Sequence, residues 1–368
     1  MKIAIIGTRG IPNQYGGFEQ FAEQFSIRMA ERGHSVTVYC SHRHPYKQDI
    51  FKGVRLIHCF DPEFLLGTFG QFIYDFNCIV NSRKHDFDII LQLGYTSSTI
   101  WSWLYPGSAI LATNMDGLEW KRTKYNKITR RFLKSAEKWA IKSSDYLIAD
   151  SIGIQQYLLD KFNAHSIFIT YGAEIYLPGA NDIQALATYS LTPDSYDLLI
   201  ARFEPENSIE TILKAYRSSG NRKLVLIGNY NGTAFGKRMH NEYSNISHIH
   251  FAGPVFDLRV LNILRHYSSL YIHGHTVGGT NPSLLEAMAC NALICANNNI
   301  FNQAILGPDA FYFDSETDLR NLLNRDPSKQ NQITFIQNNR GKIETEYNWN
   351  IITENTEALF KQWMEQKK

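Results

Sequence analysis

The sequence predicts an α/β protein of two doubly wound domains, each a parallel sheet covered by helices on both faces. Short apolar runs alternate with helical patterns along most of the chain, which is typical of buried parallel strands. That rhythm breaks once, around residues 176–194. The length of 368 residues also exceeds what one hydrophobic core usually organises. We therefore expect two domains that face each other across a cleft, the usual place for a ligand.

The first half of the chain begins with a strand, a helix and a second strand. The apolar run KIAIIG is followed by a segment in which Phe18, Phe21, Phe25 and Met29 recur at helical spacing, and Gly33 ends that helix. The run SVTVYC is the next strand. Later runs of the same kind are DIILQL, SAILAT and DYLIADS, the last of which leads directly into a helical pattern.

The alternation restarts beyond the linker with the runs YDLLIARF, KLVLIGN, HIHFAGPV, SLYIHGH and ALICANN. We place an N-terminal Rossmann-like domain at 1–175 and a second Rossmann-like domain at 176–345. Residues 346–368 form a helix that we expect to pack back on the first domain.

Composition excludes several classes of protein. A net charge of +2 gives no general attraction to nucleic acid. The five cysteines contain no C-x-x-C pair, so neither a disulfide framework nor a zinc ribbon is indicated, and a reducing cytoplasm fits. The N-terminal sequence lacks the pattern of a signal peptide. Residues 89–115 carry no charge, but Gln92, Pro106 and Gly107 interrupt them, which favours strand, short helix and strand over a membrane span.

The first glycine-rich turn, GTRGIPNQYGG, is not a dinucleotide fingerprint. Its glycines do not follow G-x-G-x-x-G, and the helix does not start directly after the strand. Gly16 and Gly17 instead stand just before the helix, where a ligand could approach the backbone and the helix N-terminus. The alternative is that these glycines only shape the turn.

The segment HTVGGTNPSLLEAMA, residues 275–289, reads as a polar loop entering a helix. Asn281 is a suitable N-cap, and Pro282 suits the first helical position. The positive end of the helix suits a phosphate, and Glu286 could accept hydrogen bonds from vicinal sugar hydroxyls. Glu286 could equally do no more than stabilise the start of the helix.

These motifs resemble the family 4 retaining glycosyltransferases, which have the two-domain GT-B fold. The resemblance spans almost the whole chain and rests on GGTNPSLLEAMA together with YGGFEQF, MAERGHSVTVY, DYLIADS, YGAE, IARFEPEN and FAGPV. The segments GTRGIPNQYGGFEQFAEQ, LGYTSS, TNMDGLEWKRTKY and HGHTVGGTNPSLLEAMA are similar to a bacterial subgroup that includes polysaccharide rhamnosyltransferases. The resemblance implies a nucleotide-sugar donor, with L-rhamnose from dTDP-rhamnose as the leading choice, and a lipid-linked or polysaccharide acceptor.

The resemblance also assigns residues to the donor site. It implies that Glu286 binds the nucleotide ribose and that Arg202 binds the diphosphate and is catalytic. The family's first glutamate is replaced by Gly278, and its lysine five positions after the arginine by Asn207. Arg9 is a possible substitute for the lost positive charge or simply a residue that stabilises the turn. No metal and no cofactor are implied. The expected donor-binding residues are Gly16, Gly17, Arg202, Asn207, Gly279, Thr280, Asn281 and Glu286.

Two carboxylates follow the strand SAILAT. The resemblance places Asp116 near donor sugar and acceptor, as a substrate contact or, if the reaction inverted configuration, as a general base. Glu119 is assigned to the acceptor side, with a helix-start carboxylate as the simpler reading. The D-x-D pair at Asp86 and Asp88 precedes a buried strand, at the wrong end of the sheet for a metal site. His273 and His275 lack a third ligand with recognisable spacing.

Residues 120–139 are strongly basic, with aromatic and aliphatic side chains interleaved. One apolar stripe, formed by Ile128, Phe132, Leu133 and Trp139, is expected to pack on the domain. The charge excess predicts peripheral attachment to an anionic membrane at its cytoplasmic face, and nucleic acid is disfavoured. The competing function is a non-catalytic GT-B subunit that binds but does not transfer. The residues assigned to the acceptor or membrane side are Glu119, Lys124, Lys127, Arg130 and Arg131.

Overall fold

The structure is a computed structural model that describes residues 1–115, 117–121, 125–220 and 222–367. The chain divides into a first unit, residues 1–171 with 349–368, and a second unit, residues 172–348. The predicted boundary after residue 175 therefore lies four residues beyond the division that the structure has. Asp116 and Lys124, to which the sequence analysis assigns roles, lie outside the described residues.

The first unit is built on an eight-stranded sheet in the order β3-β4-β2-β1-β5-β6-β7-β8. All neighbouring strands are parallel except the β3–β4 pair. Short 3-10 turns cover Gly67–Phe69, Thr99–Leu104 and Glu119–Lys121. The elements are β1 (Lys2–Ile6), α1 (Gly17–Glu31), β2 (Ser35–Ser41), β3 (Ile50–Phe51), β4 (Val54–Cys59), α2 (Glu63–Leu66), α3 (Gly70–Ser82), β5 (Ile89–Leu93), β6 (Ile110–Asn114), α4 (Lys127–Ser143), β7 (Tyr146–Ala149), α5 (Ile152–Phe162) and β8 (Ile167–Phe168).

The second unit is built on six parallel strands in the order β11-β10-β9-β12-β13-β14. Further 3-10 turns cover Pro205–Asn207 and Tyr230–Gly232. The elements are α6 (Asp182–Ala187), β9 (Asp197–Ile200), α7 (Ile209–Arg217), β10 (Leu224–Ile227), α8 (Ala234–Tyr243), β11 (Ile249–Gly253), α9 (Leu258–Tyr267), β12 (Leu270–His273), α10 (Pro282–Ala289), β13 (Ile294–Asn297), α11 (Ile300–Leu306), β14 (Phe311–Phe313), α12 (Glu316–Asn324) and α13 (Ile333–Thr345).

In both sheets the order in which successive strands are added reverses near the middle of the sheet. In the first sheet β1 lies between β2 and β5, and Ile3 pairs with Val36 on one side and Ile89 on the other. In the second sheet the reversal falls between β9 and β12. Ligands of doubly wound sheets bind outside the carboxyl ends of the strands at such a reversal. The loops after β1, β5, β9 and β12 are therefore the places to look for a site.

The strands are buried on both faces, which explains why they read as continuous apolar runs rather than as alternating ones. Ile3, Ile5, Ile89 and Ile90 are fully inaccessible to solvent, and the strand β10 is buried along its whole length. The uncharged stretch 89–115 folds as β5, a 3-10 turn and β6, as predicted. Among the described residues no helix has the length and hydropathy to cross a membrane.

The last helix, α14 (Trp349–Lys367), belongs to the first unit and packs on α1. The Phe25 and Phe360 rings pack edge to face 6.0 Å apart, and Trp363 stacks on Tyr146 at 4.1 Å. Glu357 binds three basic side chains at this contact: Arg32, His34 at 3.0 Å and Lys361 at 2.6 Å. Both aromatic packing and ion pairs therefore hold this last helix on the first unit.

We predict that Glu357→Gln destabilises the first unit in a pH-dependent way. Hydrogen bonds from Lys361, Arg32 and His34 lower the pKa of Glu357 to about 2, against a partial rise from burial. A lowered pKa gives stability that is present above the ordinary pKa of the carboxyl and lost as the pH falls towards 2. Urea unfolding should show a loss of about 2 kcal/mol at neutral pH that shrinks by about half near pH 3. Glu354→Gln, at an exposed glutamate of the same helix, is the control and should change little.

Candidate donor site

The loops after β9 and β12 are bound to each other through the backbone. The Thr276 amide and hydroxyl both donate to the Glu206 carbonyl, at 3.0 and 2.8 Å, and the Ser208 hydroxyl donates to the Gly274 carbonyl at 2.8 Å. A Cβ atom on Gly274 would lie 2.1 Å from the Asn207 carbonyl oxygen, so only glycine allows this approach. The two loops therefore form one rigid rim at the reversal point of the second sheet.

The second loop is also held from its other side, by asparagines that follow β13. The side-chain amides of Asn299 and Asn302 both donate to the His275 carbonyl, at 2.9 and 3.1 Å. Asn299 is in addition the N-cap of α11, because its carboxamide oxygen accepts from the Phe301 amide. The sequence analysis did not identify either asparagine, although a run of three at 297–299 before a helix is a recognisable capping signal.

Asn207 is buried and joins two residues of the site. Its side-chain NH2 donates to the Arg202 carbonyl at 2.7 Å, and its side-chain oxygen lies 2.9 Å from Nδ1 of His275. The amide thus fixes the backbone of Arg202 and the His275 ring in place of the lysine that the resemblance expects. Its predicted direct contact with the donor stays a prediction.

Arg202 lies exposed on the loop after β9, and within the described part of the chain its guanidinium forms no ion pair. A planar cation with several unshared N–H groups is the kind of group that binds a diphosphate. His273, at the end of the adjacent strand β12, adds no positive charge here. Burial lowers the pKa of His273 to about 3, with a smaller effect from His275, so this histidine is neutral at physiological pH. Arg202 is therefore a cation that the fold leaves available at this edge.

The start of α10 has the predicted capping. The Asn281 side chain accepts from the Ser283 amide at 2.9 Å, and Pro282 occupies the first turn. Because this cap uses the Ser283 N–H and Pro282 has none, an anion here would rely on N–H groups of the loop that contains Gly279 and Thr280. Gly278 has φ +116°, a conformation that L residues rarely adopt. A glutamate at 278 would therefore be strained in this loop.

Glu286 has a buried partner that sequence reasoning missed. Arg265, on α9, forms an ion pair with Glu286, and its side chain is only 2% exposed while that of Glu286 is 14% exposed. Arg265 also donates to Asn262 at 2.9 Å and to the Ser283 hydroxyl at 3.1 Å. The ion pair fixes the direction of the Glu286 carboxylate. A single arginine among the buried positions of α9 was the available signal, since a buried guanidinium requires a counter-charge.

In the first unit, Gly16 is the N-cap of α1, and Gly17 is its first residue. The Glu19 side chain folds back onto the Arg9 amide at 2.9 Å, and the Arg9 guanidinium binds both oxygens of Glu63, at 2.7 and 2.9 Å. Arg9 therefore stabilises this turn, which is the simpler of the two interpretations offered by the sequence. Gly7 lies so close to β5 that a Cβ would meet the Leu93 carbonyl oxygen at 2.1 Å.

The remaining candidates belong to other segments of the chain. Glu119 is buried and accepts from the Tyr125 hydroxyl at 3.3 Å, and it begins a 3-10 turn rather than a longer helix. Asp86 and Asp88 lie at the amino end of β5, where Asp86 pairs with Lys2 at 3.1 Å and Asp88 accepts from the Lys2 amide. All five cysteines are buried and free. Within the described ranges no group of three potential ligands is arranged to hold a metal ion.

The two reversing parallel sheets define the GT-B fold, and solved structures agree over nearly the whole chain. Sucrose-phosphate synthase from Thermosynechococcus elongatus superposes with a TM-score of 0.82 at 18% identity, covering 99% of both chains. HepE from Anabaena, solved with UDP and glucose, gives 0.75 at 15% identity over 98% of this chain and 100% of the other.

Sequence relatives define the class further. Residues 192–321 match the family model Glycosyl transferases group 1, and residues 1–174 match a domain of unknown function, DUF1972. An uncharacterized glycosyltransferase of Methanocaldococcus jannaschii is 27% identical over 308 residues, which cover 75% of this chain and 73% of the relative. The chain is thus a glycosyltransferase of the GT-B type, and its second unit contains a glycosyl transferases group 1 domain.

We predict that Glu286→Ala destabilises the second unit by about 3 kcal/mol, because it leaves the Arg265 guanidinium buried without a counter-charge. Glu286→Gln retains an acceptor for Arg265 and should cost less than the alanine variant. Arg202→Ala, at an exposed arginine that forms no ion pair with the described residues, should stay within about 0.5 kcal/mol of the parent. Urea unfolding of the three variants checks this order, and an unchanged midpoint for Glu286→Ala would contradict the importance of the ion pair.

Proposed function

We propose that this glycosyltransferase moves L-rhamnose from dTDP-rhamnose to a lipid-linked or growing surface-polysaccharide acceptor, with retention of configuration and without a metal. The observation that supports a donor site most directly is that an available cation and an oriented carboxylate occur at the same edge of the second sheet. Arg202 and Glu286 stand on neighbouring strand–helix units, β9–α7 and β12–α10, at the reversal point of one sheet. The nucleoside diphosphate of the donor presents the complementary groups, a charged diphosphate and the free 3′-hydroxyl of the deoxyribose.

Arg202 would bind the diphosphate, and Glu286 would accept a hydrogen bond from the 3′-hydroxyl of the deoxyribose. The loop residues Gly279, Thr280 and Asn281 would approach the phosphates or the sugar through their backbone. Gly16 and Gly17 at the start of α1 are the proposed contribution of the first unit. Asn207 has no charge to offer, and its bonds to Arg202 and His275 suit a residue that positions the arginine.

The proposed chemistry needs no nucleophile from the protein. The leaving diphosphate takes the proton from the incoming hydroxyl on the face from which it departs, and configuration is retained. The protein aligns the two substrates and stabilises the negative charge that develops on the leaving group. Arg202 is the described residue suited to that second task. Asp116, outside the described residues, remains the candidate for contact with the donor sugar and acceptor.

The choice of a 6-deoxy sugar rests on Gly278 and on the resemblance to polysaccharide rhamnosyltransferases. A carboxylate at this position would bind a hydroxyl of a hexose donor. The backbone conformation of Gly278 disfavours any side chain there, so the loop is adapted to the absence of that contact. A sugar that needs one contact fewer is consistent with such a loop.

We predict that Arg202→Ala and Glu286→Gln each weaken nucleotide binding by about tenfold or more, because charge-assisted hydrogen bonds contribute about 1.5 to 3 kcal/mol. Calorimetric titration with dTDP measures the affinity, and the unfolding midpoints establish that both variants are folded. Arg217→Ala, at an arginine on the exposed part of α7, is the control that should bind as the parent does. Unchanged affinity in both folded site variants would remove the assignment.

We further predict that dTDP-rhamnose supports turnover and that a chelator leaves the rate unchanged. Nucleoside diphosphate release across a panel of donors, with and without a lipid-linked acceptor, measures both. Turnover with a UDP-hexose but not with dTDP-rhamnose would contradict the proposed donor and leave the proposed transferase function standing. Tight nucleotide binding without transfer to any acceptor would favour the non-catalytic subunit, which the replacements at Gly278 and Asn207 keep open. Activity lost to the chelator and restored by manganese would contradict the metal-free mechanism.

The proposed place of action is the cytoplasmic face of a membrane, where a lipid-linked acceptor is embedded. Of the residues assigned to the membrane side, Lys127 and Arg131 are exposed on α4, Arg130 is half-buried and Lys124 lies outside the described residues. Exposed lysines and arginines are attracted to anionic headgroups, which supports a peripheral location.

A further inference from the structure

The first unit exposes a compact set of large apolar side chains between β4 and α3. Leu65 is 70% exposed and Phe69 is 64% exposed, and their three neighbours in the set are about half exposed. Soluble proteins rarely expose apolar groups in such density, and where they do the surface contacts another molecule or a membrane. The apolar patch consists of Phe60, Phe64, Leu65, Leu66 and Phe69.

The acidic residues of the same segment do not shield the patch. Asp61 is buried and accepts from the Glu63 amide at 2.9 Å. The negative charge of Glu63 is balanced by the Arg9 guanidinium, which donates two hydrogen bonds to it. On the remaining side, the guanidinium of the exposed Arg43 lies 4.2 Å from the centre of the Phe64 ring. The outer face of the segment is therefore apolar, with positive charge at its border.

A track of aromatic rings connects the apolar patch with α4. Phe69 lies 5.5 Å from Phe72, Phe72 lies 5.6 Å from Phe132, and Phe132 lies 6.2 Å from Trp139, measured between ring centres. Leu133 is buried, as the stripe prediction requires, but Ile128 is 82% exposed and Trp139 is 43% exposed. The prediction that these side chains all pack on the domain is therefore wrong, because α4 turns part of its apolar surface to solvent.

The outer charge of α4 is entirely positive. Its single acid, Glu137, is buried, 2.9 Å from the Tyr157 hydroxyl and 3.4 Å from Lys161. The basic residues that α4 exposes are Lys127, Arg131, Lys134, Lys138 and Lys142. A surface that joins exposed aromatic and aliphatic side chains to an excess of lysine and arginine is typical of proteins that lie in the interface of an anionic bilayer.

We propose that the apolar patch inserts into the acyl boundary of an anionic membrane while the basic residues of α4 contact the headgroups. The inference deepens the proposed function, since it rests on the lipid-linked acceptor and names the surface that reaches it. A second copy of the chain fits this surface less well, because a symmetric contact would bring two sets of the same positive residues together. Attachment by insertion depends on buried apolar area, which salt does not screen. Part of the binding should therefore persist at high salt.

The test is co-sedimentation of the full chain with phosphatidylcholine vesicles that contain phosphatidylglycerol, at about 0.1 M and about 1 M salt. The variant Leu65→Ser/Phe69→Ser should bind at least about tenfold more weakly at low salt and not at all at high salt. The matched control, Leu177→Ser/Phe256→Ser, removes one leucine and one phenylalanine that are 72% and 81% exposed in the second unit, and it should bind as the parent does.

A charge variant separates the two contributions. Exchange of Lys127, Arg131, Lys134, Lys138 and Lys142 for glutamine should remove the excess binding at low salt and leave the salt-resistant part. Complete release of the parent at high salt, or equal binding by the patch variant and the parent, would overturn the insertion. A parent dimer in solution that Leu65→Ser/Phe69→Ser dissociates would overturn it in favour of self-association. Vesicle binding needs neither donor nor turnover, so transferase activity on a short soluble acceptor decides the proposed function separately.

Discussion

The close approach of the two loops at the reversal point of the second sheet is the constraint on which the candidate site depends. Gly274 touches the Asn207 carbonyl with no room for a side chain, and Thr276 and Ser208 close hydrogen bonds across the same gap. Asn299 and Asn302 hold the second loop from the opposite side. The position of Arg202 follows from this frame, because Asn207 binds its carbonyl. A site built on backbone contacts of this kind is largely formed before a ligand arrives.

Two replacements that look like losses in the sequence have structural roles in the folded chain. Asn207 stands where the resemblance expects a lysine, and it exchanges a charge for two hydrogen bonds that fix an arginine and a histidine. Gly278 stands where a glutamate is expected, and its positive φ sets the course of the loop. The retained carboxylate, Glu286, gains a buried arginine as its partner. The site thus has fewer charges than the resemblance implies, and the carboxylate that remains is held by an ion pair with a buried arginine.

The first unit separates its polar and apolar surfaces. Around Gly16 and Gly17 the acids turn inward, where Glu19 binds the Arg9 amide and Glu63 binds the Arg9 side chain. Glu63, beside the apolar patch, is thus paired with a positive charge. The same arginine therefore shapes the turn before α1 and, through Glu63, the segment that presents the patch.

The sequence by itself determined the fold class, because strands buried on both faces must be continuously apolar and the connecting helices must show helical periodicity. It also predicted the capped start of α10 and singled out Arg202 and Glu286 as donor-site candidates, since these lie within local motifs. Only the tertiary structure decided which groups meet across the motifs. The pairing of Arg265 with Glu286 joins two helices, and the bond between Asn207 and His275 joins two loops that are 68 positions apart. Exposure at Ile128 and burial at Glu137 were likewise decided by the neighbours that the fold brings to α4, because periodicity specifies a face of a helix but not what covers it.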